Sequence, residues 1–231
     1  YPVYPDWLEM LLKPFENPKV ALTYGKQRGT ETTSFSEHQI FKAWFPDGAN
    51  GTQSTPFCNN ANAAIRRDLW IKNPYDETLP GLEDLAWAQW AFDQGYQLRY
   101  VPEAEVIHVH HESMKGIFNR YRREGMAFKK IYPHETFHRR DQYRLFLQNV
   151  FTDWREAVRL KVWRHHWFEI VSFRWNQFAG TYQGYHQSGP LTWQLKQAFY
   201  YPNPNGISNP SESRHEVKPI HYQETGQKRG E

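Results

Sequence analysis

Apolar positions in the stretch from residue 79 to 111, LPGLEDLAWAQWAFDQGYQLRYVPEAEVIHVHH, change their period midway. Leu85, Trp87, Ala88, Ala91 and Phe92 recur at helical spacing, which predicts a helix over 82–94 after the Pro80-Gly81 break. Gly95 supplies a C-terminal stop. Tyr96 to Tyr100 and Glu105 to Val109 then read as two short strands, parted by Val101-Pro102 because proline lacks the ladder N–H. Nearer the N-terminus, residues 6–12 form a helical pattern with Asp6 as cap, and 19–25, KVALTYG, read as a buried strand ended by Gly25. Residues 36–45 carry Ile40, Phe41, Trp44 and Phe45 as the stripe of a short helix that Pro46-Asp47-Gly48 stops. From Ser113 the chain turns helical, and residues 140–160 and 163–186 predict two further helices in which Trp154, Trp163, Trp167 and Trp175 alternate with arginines. Amphipathicity alone leaves two fates for those helices, packing as an extension or lying on a membrane surface. Apolar residues thin out after Tyr201, and the tail beyond residue 205 is expected to be disordered.

Candidate chemistry enters at three places. Glu83 and Asp84 occupy the first turn of the expected helix, where unpaired backbone N–H groups favour negative charge. A carboxylate held there can accept a proton from a bound hydroxyl, and ordinary helix capping competes with that reading. Asn62 follows Asn59 and Asn60 in a run of small residues; its amide can donate to and accept from sugar hydroxyls, or satisfy buried backbone. Arg66 and Arg67 suit phosphate or carboxylate, and a salt bridge to Glu83 fits equally. In a strand His108 and His110 share a face while His111 points away, and neutral imidazole suits a divalent metal such as manganese. Packed or solvated histidines are the competing reading, and no Cys/His spacing fits a structural zinc site.

Composition narrows the classes. A chain of 231 residues buries a real core and fits one domain with a helical extension. A net charge of +3 does not imply nucleic acid, and the Arg, Trp and His interleaving matches no RNA or DNA motif, so no nucleic-acid partner is expected. The 17% aromatic content, with ten tryptophans, suits both sugar stacking and an aromatic core. One cysteine excludes an internal disulfide and agrees with a reducing, cytoplasmic setting. No apolar run is long enough to span a membrane and no signal peptide is visible.

Three runs, FCNNANAAIRRDLW, PYDETLPGLEDLAWAQWAFDQGY and YVPEAEVIHVHHES, in that order, resemble the acceptor-side half of a family 2 glycosyltransferase. The segment SMKGIFNRYRREG is similar to the Phe-X-Arg-Tyr-X-X-Glu-Gly segment of the rhamnosyltransferase-like branch, and the likeness runs over residues 5 to 200. The resemblance implies an α/β fold: the acceptor-side part of a GT-A nucleotide-diphospho-sugar transferase over 1–112, an α-helical extension over 113–204 and a tail over 205–231. It implies an inverting transfer of a sugar from a nucleotide-sugar donor to a saccharide or lipid-linked acceptor. Asp84 would be the base with Glu83 beside it; Asn62, Arg66, Arg67 and Trp44 would bind substrate; His108 and His110 would complete the shell of a divalent manganese or magnesium ion. Arg120, Arg122 and Arg123 would meet a lipid-linked diphosphate or the membrane surface, or form a solvated helix face. The family's metal-holding Asp-X-Asp motif occurs nowhere in the chain, so the sequence reads as a fragment that is inactive alone. The expected location is cytoplasmic, with peripheral contact at the inner membrane face through the basic aromatic helices. A non-catalytic carbohydrate-binding or scaffold module is the rival class.

Overall fold

A computed structural model describes residues 1–48, 53–109 and 112–187. The described chain is mixed α/β, with seven α-helices and a three-stranded mixed sheet. Strand β1 (Val20–Arg28) lies at the centre. Strand β2 (Ala63–Ile65) pairs with it antiparallel and β3 (Gln97–Ile107) pairs with it parallel, in the order β2-β1-β3. Helices α1 (Trp7–Leu12), α2 (Phe35–Trp44), α3 (Arg67–Lys72) and α4 (Glu83–Asp93) surround this sheet. Ala21, Leu22, Tyr24, Phe41, Trp87, Ala88 and Leu98 are the buried core between them.

Most expected elements are present, and two boundaries move. The strand does not stop at Gly25 but runs on to Arg28. Gly25 is there because backbone and side chain press on it: a Cβ would collide with the Ala104 carbonyl and the Asn62 amide. The two strands expected on either side of Pro102 are one eleven-residue strand. The ladder explains it. Gly25 pairs with Val101 and Gln27 with Val106, so Pro102 falls in a bulge, on an edge strand, where no ladder N–H is required. Gly95 does end α4: with φ at +80° it lets its own N–H reach the Phe92 carbonyl and that of Tyr96 reach Ala91, a Schellman stop.

Beyond the sheet come three long helices, α5 (Met114–Ile131), α6 (Arg139–Arg159) and α7 (Trp163–His186). Ser113 caps α5 by accepting from the Gly116 N–H. Helices α5 and α7 meet backbone to backbone, since a Cβ on Gly180 or Gly184 would strike the carbonyls of Phe118 and Arg122. Helix α2 joins the two layers. Its Phe35 and Ile40 belong to the clusters of α6, α7 and α5, and its Ser36 hydroxyl donates to Asp153 at 2.7 Å. Arg174 grips that same carboxylate with two N–H bonds, of 2.8 and 3.0 Å, in the interior. The expected tail over 205–231, and the end of the helical extension after residue 187, lie outside the described residues.

Candidate functional site

Strands β1 and β3 run parallel, so their carboxyl ends lie at one edge of the sheet. Ligands of open α/β sheets gather at that edge. Helix α4 feeds β3 and therefore presents its N-terminus there. Its cap position is Leu82, a left-handed residue at φ +60° with no side-chain cap bond, following Gly81. A non-glycine residue in that conformation is held by its surroundings at some cost. The turn sets Asp84 over the loop before β2. One oxygen of Asp84 accepts from the Asn60 N–H at 2.6 Å and the other from Leu85 at 2.8 Å. The carboxylate therefore tethers a second segment as well as its own helix. Burial pushes the Asp84 carboxyl above the usual range, against the pull of those N–H groups.

Asp84 borders a hollow of about 300 Å³ between this sheet edge and helices α5 and α7. Trp44, Phe57 and Phe128 give it aromatic walls, and Glu124 of α5 brings a second carboxyl. Glu83 is not among the lining side chains. Burial pushes Glu124 up to about 7; Arg120 and Arg123 oppose the shift, while the charges of Glu112 and Asp84 add to it. The sequence reading missed Glu124, although it sits in the quoted Arg-Glu-Gly segment. Nothing local in the sequence marks it: only the fold brings α7 beside this segment, where a Cβ on the next residue, Gly125, would strike the Thr181 carbonyl.

A polar chain joins Asp84's neighbourhood to His108. Asn59 Oδ1 accepts from the Ala61 N–H at 3.1 Å, so it also serves as acceptor for Gln27 Nε2 at 2.9 Å. Gln27 is 1% exposed, and its orientation turns Oε1 toward His108 Nδ1 at 2.6 Å. His108 therefore carries a proton on Nδ1, which fixes the direction of its ring. One imidazole does not make a metal site: among the described residues no three His, Cys, Asp or Glu side chains group to hold an ion. His110 lies outside the described residues.

Other expected binders go elsewhere. Asn62 is 2% exposed; its amide donates to the carbonyls of Lys26 and Ala104 and accepts from the Trp7 indole, so it is a joint of the fold. Arg66 donates to the carbonyls of Val20, Phe15 and Asn17 and lies over the Phe15 ring. It and Arg67 line a different hollow with Leu12 and Ile71, at the opposite edge of the sheet, because β2 runs antiparallel and carries them away from Asp84. Arg120 pairs with Glu37 and Glu112 inside the helical layer, and Arg122 donates to Gln187. Of the named set, Asp84 and Trp44 share the hollow. Compared with known proteins, this chain matches no family model, no curated protein and no solved structure.

Proposed function

We propose that this chain is the acceptor-side part of an inverting glycosyltransferase of GT-A type, with Asp84 as the base for the acceptor hydroxyl. The observation that carries the reading is Asp84 itself: a half-buried carboxylate on a helix start, at the carboxyl edge of parallel strands, bordering an aromatic hollow. Each carboxylate oxygen has lone pairs beyond the one taken by a backbone N–H, so a sugar hydroxyl can donate to it. As the acceptor oxygen attacks the anomeric carbon, its proton passes to Asp84. The bond to the leaving diphosphate breaks with its electron pair, and the centre inverts. A carboxyl held above its ordinary range by burial is a stronger base than an ordinary one. Trp44 offers a ring face to a sugar, and the protonated form of Glu124 can donate to a sugar oxygen without adding negative charge. The order of the three sequence runs and the mixed sheet agree with the GT-A assignment.

In the protein as its native gene encodes it, Asp84→Asn keeps shape and removes the proton acceptor. Sugar transfer should fall by about a hundred- to ten-thousand-fold, with donor affinity nearly unchanged. Glu83→Gln should cost less. Radiolabelled sugar transfer measures both. If Asp84→Asn is silent while saccharide binding persists, the chain is a non-catalytic sugar-binding module and the base is misassigned.

A further inference from the structure

The outer face of the α6–α7 pair is apolar, aromatic and basic at once. Among the described residues, nine of the seventeen exposed large apolar side chains lie between residues 143 and 175. On α6, Tyr143, Leu147, Phe151 and Val158 recur at intervals of four and seven and form one stripe. The core does not need that stripe, because α6 turns Val150, Asp153 and Ala157 inward. Helix α7 continues the face. Trp175 packs beside Tyr143 at 6.2 Å, and Trp163 meets Trp154 edge-on at 6.4 Å. Phe151 and Phe168 are 61% and 66% exposed, which is a large apolar cost if water is what they meet.

The exposed charged side chains of these two helices are all basic. Within residues 139–187 seven Arg and Lys side chains are exposed and no Asp or Glu is. Arg144 and Arg159 pair with Asp141 and Glu156, whose side chains are far less exposed than their own. A second copy docked on the same face would bring like charges together, which opposes self-association. An anionic surface does the reverse. Indole and phenyl rings settle at the boundary between headgroup and acyl chain, and arginine stems lie along apolar surface with the guanidinium in the headgroups. Among the described residues no helix is long and apolar enough to cross a membrane, so the contact runs in the interface plane.

We propose that the outer face of α6 and α7 docks on a lipid bilayer carrying anionic headgroups. This stands apart from the role of Asp84. The test is sedimentation of the full chain with vesicles of equimolar phosphatidylcholine and phosphatidylglycerol, beside vesicles of phosphatidylcholine alone. The chain should sediment with the mixed vesicles, far less with the neutral ones, and less as salt rises. The double variant Phe151→Ser/Phe168→Ser should abolish sedimentation. The triple variant Arg140→Gln/Arg155→Gln/Arg164→Gln should weaken it roughly a hundredfold. All five side chains are exposed, so circular dichroism and melting should stay as in the parent chain. The proposal is overturned if the chain does not sediment with mixed vesicles, or if neutral vesicles take it equally. It is also overturned if Phe151→Ser/Phe168→Ser leaves sedimentation intact, or if those changes instead abolish a dimer of a chain that ignores lipid.

Discussion

Glu124 offers the sharpest test at the scale of a single residue. Its carboxyl moves from an ordinary 4.5 in the unfolded chain to about 7 in the folded one, chiefly through burial. The folded state thus holds the proton more tightly. That contribution to stability is complete below pH 4.5 and is lost as pH rises to 7, because the native chain must then ionise a buried group. Glu124→Gln keeps the neutral shape at every pH. The melting temperature of the variant should therefore gain on the parent chain steadily between pH 4.5 and 7; a difference that stays flat across that window would show that Glu124 is an ordinary carboxylate. The place of Asp84 in a first helical turn was legible in the sequence because a helix start announces itself through Pro-Gly and an acidic pair. Asn62 and Arg66 were legible as polar residues near strands, but not in their roles. Side-chain amides and guanidinium groups bond as well to carbonyls as to sugars or phosphates, and only the path of β2 shows that carbonyls surround both. Glu124 was hidden for a related reason: a glutamate in a basic helix reads as solvated until α7 covers it.

At the scale of the element, the contact between α5 and α7 depends on glycine. A Cβ at Gly184 would press on the carbonyl of Arg122, which is helix backbone and cannot swing aside. Alanine at a mid-helix glycine gains up to about 1 kcal/mol in propensity. Forcing two helix backbones apart costs about 1–3 kcal/mol, so strain should win and Gly184→Ala should destabilise the chain. Gly116 is the control. A Cβ there would meet only Glu112 and Ser113 side chains, at 3.4 Å and beyond, so Gly116→Ala should be neutral or stabilise by about 0.4–1 kcal/mol. Urea denaturation of both variants checks the pair, and equal effects would remove the close-packing account. Six of the seven described helices were legible from the sequence pattern, with the start of α5 placed at Ser113; the short α3 was not. The strands were less so: Gly25 and Pro102 break the usual rules, and both breaks come from neighbours distant in sequence, Ala104 and Asn62 for one and the bulged ladder for the other.

For the whole molecule, the question is whether the sheet layer and the helical layer unfold together. The sequence marks a change near residue 112, from strands to helices, and suggests two units. Helix α2 belongs to the first by sequence but to both by packing, a long-range fact that periodicity does not carry. Among its ties to the helices is the buried trio of Ser36, Asp153 and Arg174, with the last two 1% and 3% exposed. Asp153→Ala removes one charge of this pair and strands the other in the interior, which typically costs about 3–5 kcal/mol. Replacing both by apolar side chains of similar size, Asp153→Leu with Arg174→Met, leaves no charge stranded and should recover most of that loss. Because α2 spans the interface, the single variant should weaken the whole fold. Tryptophan fluorescence and far-ultraviolet circular dichroism should shift to lower urea together, as one transition. If Asp153→Ala instead splits unfolding into two steps, with the helices lost first and the sheet unaffected, then α2 does not couple the layers and the chain is two independent units.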